Sequence, residues 1–203
     1  MLRTAALTAL SLCALTAVTA PAAAEPQRYE FDKPHTQILF FADHMGFSKS
    51  HGEFMEFDGH FTFDQSAPEN SSVEVAIKTD SIRMKTEKWE DHLKNEDFFN
   101  VTEYPEMTFK STGITVTGDD TADLAGDLTM LGQTHPVTLH VKHNKSAPHP
   151  FKANTYMSGF EATATIDRAT WGMTYGTPMM SSDVEIRINV EGIADNPEGA
   201  PNE

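Results

Sequence analysis

Gly52-Glu-Phe-Met-Glu-Phe-Asp-Gly-His-Phe-Thr-Phe-Asp64 alternates in character. Met55, Phe57, Gly59, Phe61 and Phe63 take every second place, and Glu56, Asp58, His60, Thr62 and Asp64 take the others. Successive side chains of a strand point to opposite faces, so this spacing predicts a strand with one wet face and one dry face built mainly from aromatic rings. Phe54 beside Met55 interrupts the alternation and predicts a bulge or bend there, eased by Gly52 and Gly59.

The same pattern recurs in Val73–Lys78, Leu124–Met130, Val137–Lys142, Phe160–Ile166 and Val184–Val190. Tyr29–Phe31, Ile38–Ala42 and Met107–Val116, broken near Thr112-Gly113, bring the count to about eight strands or more, and a sheet that large with one dry face must close on itself or pair with another. The fold class is therefore all-β. One segment reads as helix, Thr86–Asn95: Thr86 can cap it, acids occupy its early turns, and Trp89 and Leu93 lie four apart on one face. It is too short to stand alone and must dock on the sheet. The connection Asn95–Pro105 carries Phe98, Phe99 and Tyr104, too much apolar surface for an open loop, and is expected to fold inward over the rim. Thr117–Thr121 and Lys145–Pro150 read as turns, and residues 195–203 as a disordered tail. Neither an internal repeat nor a domain linker is evident.

Residues 1–24 read as a cleaved export signal: Arg3 gives the positive start, Ala5–Val18 the apolar stretch, and Ala22-Ala23-Ala24 a small-residue cleavage site. The expected location is periplasmic, with one domain over residues 25–194. The single cysteine, Cys13, lies within that signal, so the mature chain has no thiol chemistry and no disulfide. The formal charge is −15, with acids scattered along the wet faces, which makes nucleic acid and anionic membrane surfaces poor partners. Nothing beyond the signal is apolar enough to insert stably in a membrane, and a homodimer is the default oligomer.

No G-x-S-x-G, H-E-x-x-H or Gly-rich phosphate loop is present, so no catalytic residues are assigned and the protein is not read as an enzyme. His135, His140, His143 and His149 cluster in sequence without the i, i+2 spacing that two ligands on one strand face need, so they read as surface histidines; no metal and no cofactor is expected. The aromatic and apolar residues Phe40, Phe54, Phe57, Phe61, Trp89, Leu93, Phe98, Phe99, Phe160, Trp171 and Met173 either line or close a cavity for an apolar chain or fill a solid core. At roughly 0.8 kcal/mol per buried methylene, ten methylenes supply about 8 kcal/mol gross, enough for micromolar affinity when ordering costs are small. His35, His44, Asp91, His92 and Arg168 are the candidate head-group contacts, with pairing to an acid across the barrel end an alternative role for Arg168. Two other readings compete: a stress-related interaction module whose barrel is solid, and a metal-dependent enzyme using His35 or His44.

The set Tyr29-x-Phe-Asp32, His35-Thr36, Phe40, His44-Met-Gly46, Gly52-x-Phe54, Asp91-His-Leu93, Asp97-Phe-Phe99, Tyr104-Pro-x-Met-x-Phe109, Gly126-x-Leu-Thr-Met-x-Gly132 and Arg168-x-x-Trp-Gly172 resembles the YceI-like family over residues 27–193. That resemblance implies an exported, antiparallel, lipocalin-like barrel of about eight strands with the short helix packed at its opening. It also implies an elongated internal pocket for a polyisoprenoid, isoprenoid quinone or fatty chain. Thr36 stands where a serine is usual, and Glu90 precedes Asp91 where an arginine is frequent. The turn Gln133–Pro136 lacks a lysine it often carries, so a neutral quinone, amide or fatty ligand suits the chain at least as well as a pyrophosphate.

Overall fold

The computed structural model describes residues 26–195. Both the signal reading of residues 1–24 and the tail beyond Asp195 lie outside them. Eleven strands and one α-helix follow in chain order: β1 (Gln27–Phe31), β2 (Gln37–His44), β3 (Ser48–Phe54), β4 (Phe57–Phe63), β5 (Ser72–Lys78), β6 (Ile82–Arg83), α1 (Glu87–Lys94), β7 (Glu106–Val116), β8 (Thr121–Met130), β9 (Gln133–Pro148), β10 (Thr155–Asp167) and β11 (Asp183–Asp195). Every pairing is antiparallel, and β1-β4-β5-β7-β8-β9-β10-β11 closes into an eight-stranded barrel because β11 pairs back onto β1.

Three of the barrel staves are broken strands. β11 pairs with β2 through Val184–Asn189 and with β1 through Gly192 and Ile193, so β1 and β2 share one of its edges on either side of the turn Lys33–His35. β3 and β4 repeat that break at Met55-Glu56, and β5 and β6 repeat it at Thr79–Ser81. Breaking all three in step lets the sheet continue at one end as β11-β2-β3-β6. α1 and residues 95–105 follow that free edge. Thr79, almost fully buried, anchors the junction, its hydroxyl donating to the Tyr104 carbonyl at 2.7 Å and its amide to that of Pro105 at 3.1 Å.

The quoted stretch thus forms two strands, and the interruption changes which parity faces inward. Phe54 is buried before the break, Phe57 and Phe61 after it, while Met55 is 54% exposed, contrary to its expected place on the dry face. A second such change occurs in β7, where the register shifts between Ser111 and Gly113, near the expected break. Closure at the β1–β11 seam depends on small residues: a Cβ on Gly192 would strike the ring of Phe61, which is stacked on Tyr29 at 4.9 Å. Gly59, with φ 151°, lies so close to the Glu74 backbone that a side chain there would collide with it.

β9 is longer than its sequence suggested. Lys145-Ser-Ala-Pro148, read as part of a turn, pairs instead with Tyr156–Gly159, and Asp195, read as the start of the tail, pairs with Thr155. Outside the barrel, charges sit opposite one another across strands: Lys78 on Glu106, Lys110 on Glu74, and His140 on Asp123. Exposed pairs of this kind contribute little each. They do commit the outer face to water. Among the described residues no helix is long and apolar enough to cross a membrane.

Candidate functional site

Eight staves presenting alternate residues inward surround a cavity of about 630 Å³, a size ordinary for a small-molecule site. Its middle is apolar, with Phe57, Val75, Phe109, Leu139, Ala162 and Ile188 from six different strands. Water there would find few partners, whereas a hydrocarbon chain would bury apolar surface on every side.

Ten of the eleven apolar residues singled out from sequence border this cavity: Phe40, Phe54, Phe57, Phe61, Trp89, Leu93, Phe98, Phe99, Phe160 and Met173. Trp171 does not. It is buried outside the cavity against His135, and its indole N–H donates to the Leu128 carbonyl at 3.1 Å, a polar tie that fixes the ring to the barrel wall. Phe98 and Phe99 follow the expected inward fold of their connection, Phe99 meeting Phe54 edge-on at 5.4 Å. α1 lies beside them, capped as its sequence suggested by Thr86, whose hydroxyl accepts from the Trp89 amide at 3.4 Å. Trp89 and Leu93 form its cavity face.

Of the proposed head-group contacts, His44, His92 and Arg168 border the cavity at the α1 end, and His35 and Asp91 do not. Asp91 is exposed on the helix, about a quarter-turn away from the cavity-facing His92. His35 sits on the outer surface in the turn between β1 and β2, its Nδ1 2.8 Å from Asp32 Oδ2. Hydrogen bonding and charge from Asp32 raise its pKa. Glu191 completes a group whose ligand-type atoms lie within 4.8 Å of one another. Arg168 is buried, and its guanidinium is committed to backbone: Nη1 donates to the Met173 carbonyl at 2.7 Å, Nη2 to Tyr175 at 2.8 Å and Nε to Ser181 at 3.3 Å. This arginine organises the loop between β10 and β11 through backbone carbonyls, and not through the acid across the barrel end that its sequence suggested.

The opposite end holds a polar group that sequence reading placed on the surface. His143 continues the inward series Val137, Leu139, Val141 along β9 and borders the cavity. Its ring lies 5.0 Å from Phe63 and 5.1 Å from Phe160. Phe160 opposes His143 but Gly159 opposes Lys145, so Asn144 is an extra residue, a bulge. Three residues apart, His143 and Ser146 would face opposite ways in a regular strand; the bulge returns them to one side. His143 Nε2 then lies 2.8 Å from Ser146 Oγ, which lies 2.7 Å from Oγ of fully buried Ser158. Burial lowers the His143 pKa, partly opposed by the Lys145 backbone and Asp120, and keeps the imidazole neutral near pH 7. The signal was legible in the parity of Val137, Leu139, Val141 and His143.

The family model for the YceI-like domain matches residues 29–192. A UPF0312 protein of Pectobacterium carotovorum is 37% identical over 188 residues, 92% of this chain and 96% of its own length. Among solved structures, Burkholderia cenocepacia BcnA superposes with a TM-score of 0.70 at 21% identity, over 79% of this chain and 98% of that one. A polyisoprenoid binding domain from Saccharophagus degradans superposes with a TM-score of 0.62 at 13% identity, over 82% and 98% respectively.

Proposed function

The chain belongs to the YceI-like family, and on that premise we propose that it is an exported carrier that holds one long apolar molecule inside its barrel and does not transform it. The observation that carries this reading is the continuous apolar cavity, about 630 Å³, bordered by residues of all eight barrel strands. A solid-barrel interaction module calls for a filled interior, and the cavity supports the carrier reading over it. The Saccharophagus relative, which is a polyisoprenoid binding domain, supports a polyisoprenoid, isoprenoid quinone or fatty chain as the ligand class. The signal-like residues 1–24 support the periplasm as its location.

Titration with a long-chain polyene whose fluorescence rises in apolar surroundings tests the reading. One site per chain is expected, and Ala162→Trp, which points a large ring into the mid-cavity, is expected to abolish uptake while the melting temperature is kept. Uptake unaffected by Ala162→Trp, or none by the unaltered protein, overturns it.

A further inference from the structure

The two ends of the cavity differ in chemistry. At the α1 end the lining arginine is tied to three carbonyls. At the other end lie His143, the hydroxyl residues Thr62, Ser71, Ser72 and Thr121, and the carboxylates Asp119 and Asp120. We propose that the His143 end is the head-group subsite and that it takes a neutral polar head, a hydroxyl or carboxamide, in preference to a carboxylate or phosphate; this rests on the reading of the barrel as a carrier. The residues so assigned are His143, with Ser146 and Ser158 positioning it.

Three observations carry the assignment. First, the His143 ring packs against Phe63 and Phe160, whose own rings meet at 5.0 Å so that the three form one triangular cluster, and its Nε2 lies on the Ser146–Ser158 hydroxyl pair. The ring borders the cavity, where a ligand head can meet it. A hydroxyl or carboxamide both donates and accepts, so it suits either imidazole tautomer. Second, among the residues bordering the cavity Arg168 alone bears a fixed positive charge, and it belongs to the far end. An anionic head at His143 would meet a neutral ring and the carboxylates of Asp119 and Asp120 with no cation to offset them. Third, the bulge at Asn144 brings His143 and Ser146 to one side.

The test compares geranylgeraniol, its carboxamide, the matched hydrocarbon, geranylgeranoic acid and geranylgeranyl phosphate on the whole protein and on His143→Phe and Ser146→Ala. His143→Phe keeps a planar ring against Phe63 and Phe160 and removes both nitrogens. It is expected to weaken the alcohol and the amide about tenfold while leaving the hydrocarbon within about twofold, with Ser146→Ala intermediate. The acid and phosphate are expected to bind the unaltered protein more weakly than the alcohol. Equal losses for alcohol and hydrocarbon in both variants, or tighter binding of the acid or phosphate, overturn the subsite. Failure of every probe, hydrocarbon included, on the unaltered protein would instead remove the carrier reading beneath it. A melt of each variant checks folding, and Ser146→Ala keeps the test decisive if His143→Phe unfolds.

Discussion

Three backbone carbonyls converge on the guanidinium of Arg168, and removing it strands them in a buried place. Arg168→Met should therefore lower stability by about 2 to 3 kcal/mol in urea denaturation, with no change in the ranking of head groups. The two perturbed histidines act with opposite sign on stability. Burial holds the His143 pKa below 6.5, so the unfolded chain takes up a proton first and stability falls as pH drops below 6.5. Asp32 holds that of His35 above 6.5, so its contribution is complete below 6.5 and is lost as pH rises through the folded pKa. Urea midpoints between about pH 5 and 8 should show a shallower acid-side fall in His143→Phe and a shallower alkaline-side fall in His35→Gln. Identical profiles for both variants and the parent would contradict these assignments. Residue roles were only partly legible. The apolar lining follows from alternation, but a histidine reads as surface whenever its strand is taken to end too soon, as happened at His143. Trp171 and His35 carry the right chemistry for a site, and only the fold reveals that both face away from it.

α1 depends on its cap because no residue within it is fully buried. Thr86→Ala should cost about 1 kcal/mol and speed amide exchange over Glu87–Lys94 at the cavity end, with exchange in β8 and β9 unchanged. The helix, its cap and the infolded connection were all legible, since Thr86, Trp89, Phe98 and Phe99 carry local and unambiguous signals. Strand interruptions were less so. Adjacent apolar residues at Phe54-Met55 announced the break between β3 and β4, and Thr112-Gly113 the shift within β7. Nothing comparable marks Asn144, because His143, Asn144 and Lys145 are all polar and a bulge there changes no hydrophobic pattern. Long-range pairing with Ser158 and Phe160 decides that bulge, and pairing of that range is not written in local sequence.

Taken whole, the molecule is an acidic chain, formal charge −15, whose described residues enclose an apolar hollow with one buried guanidinium at its rim. The all-β class was legible from the number and alternation of strands, which left closure or pairing with a second sheet open; the family resemblance chose the barrel. Whether rings fill or surround the centre was not legible, because the same residues serve both; barrel diameter decides it, and that depends on strand count and stagger. The account rests on that hollow being occupied. Native mass spectrometry of the protein purified mildly from its producing cells, followed by denaturation, tests it most directly. We predict release of one long-chain apolar molecule with an uncharged head per chain. A protein that leaves the cells empty, and stays empty after incubation with geranylgeraniol, would contradict the account.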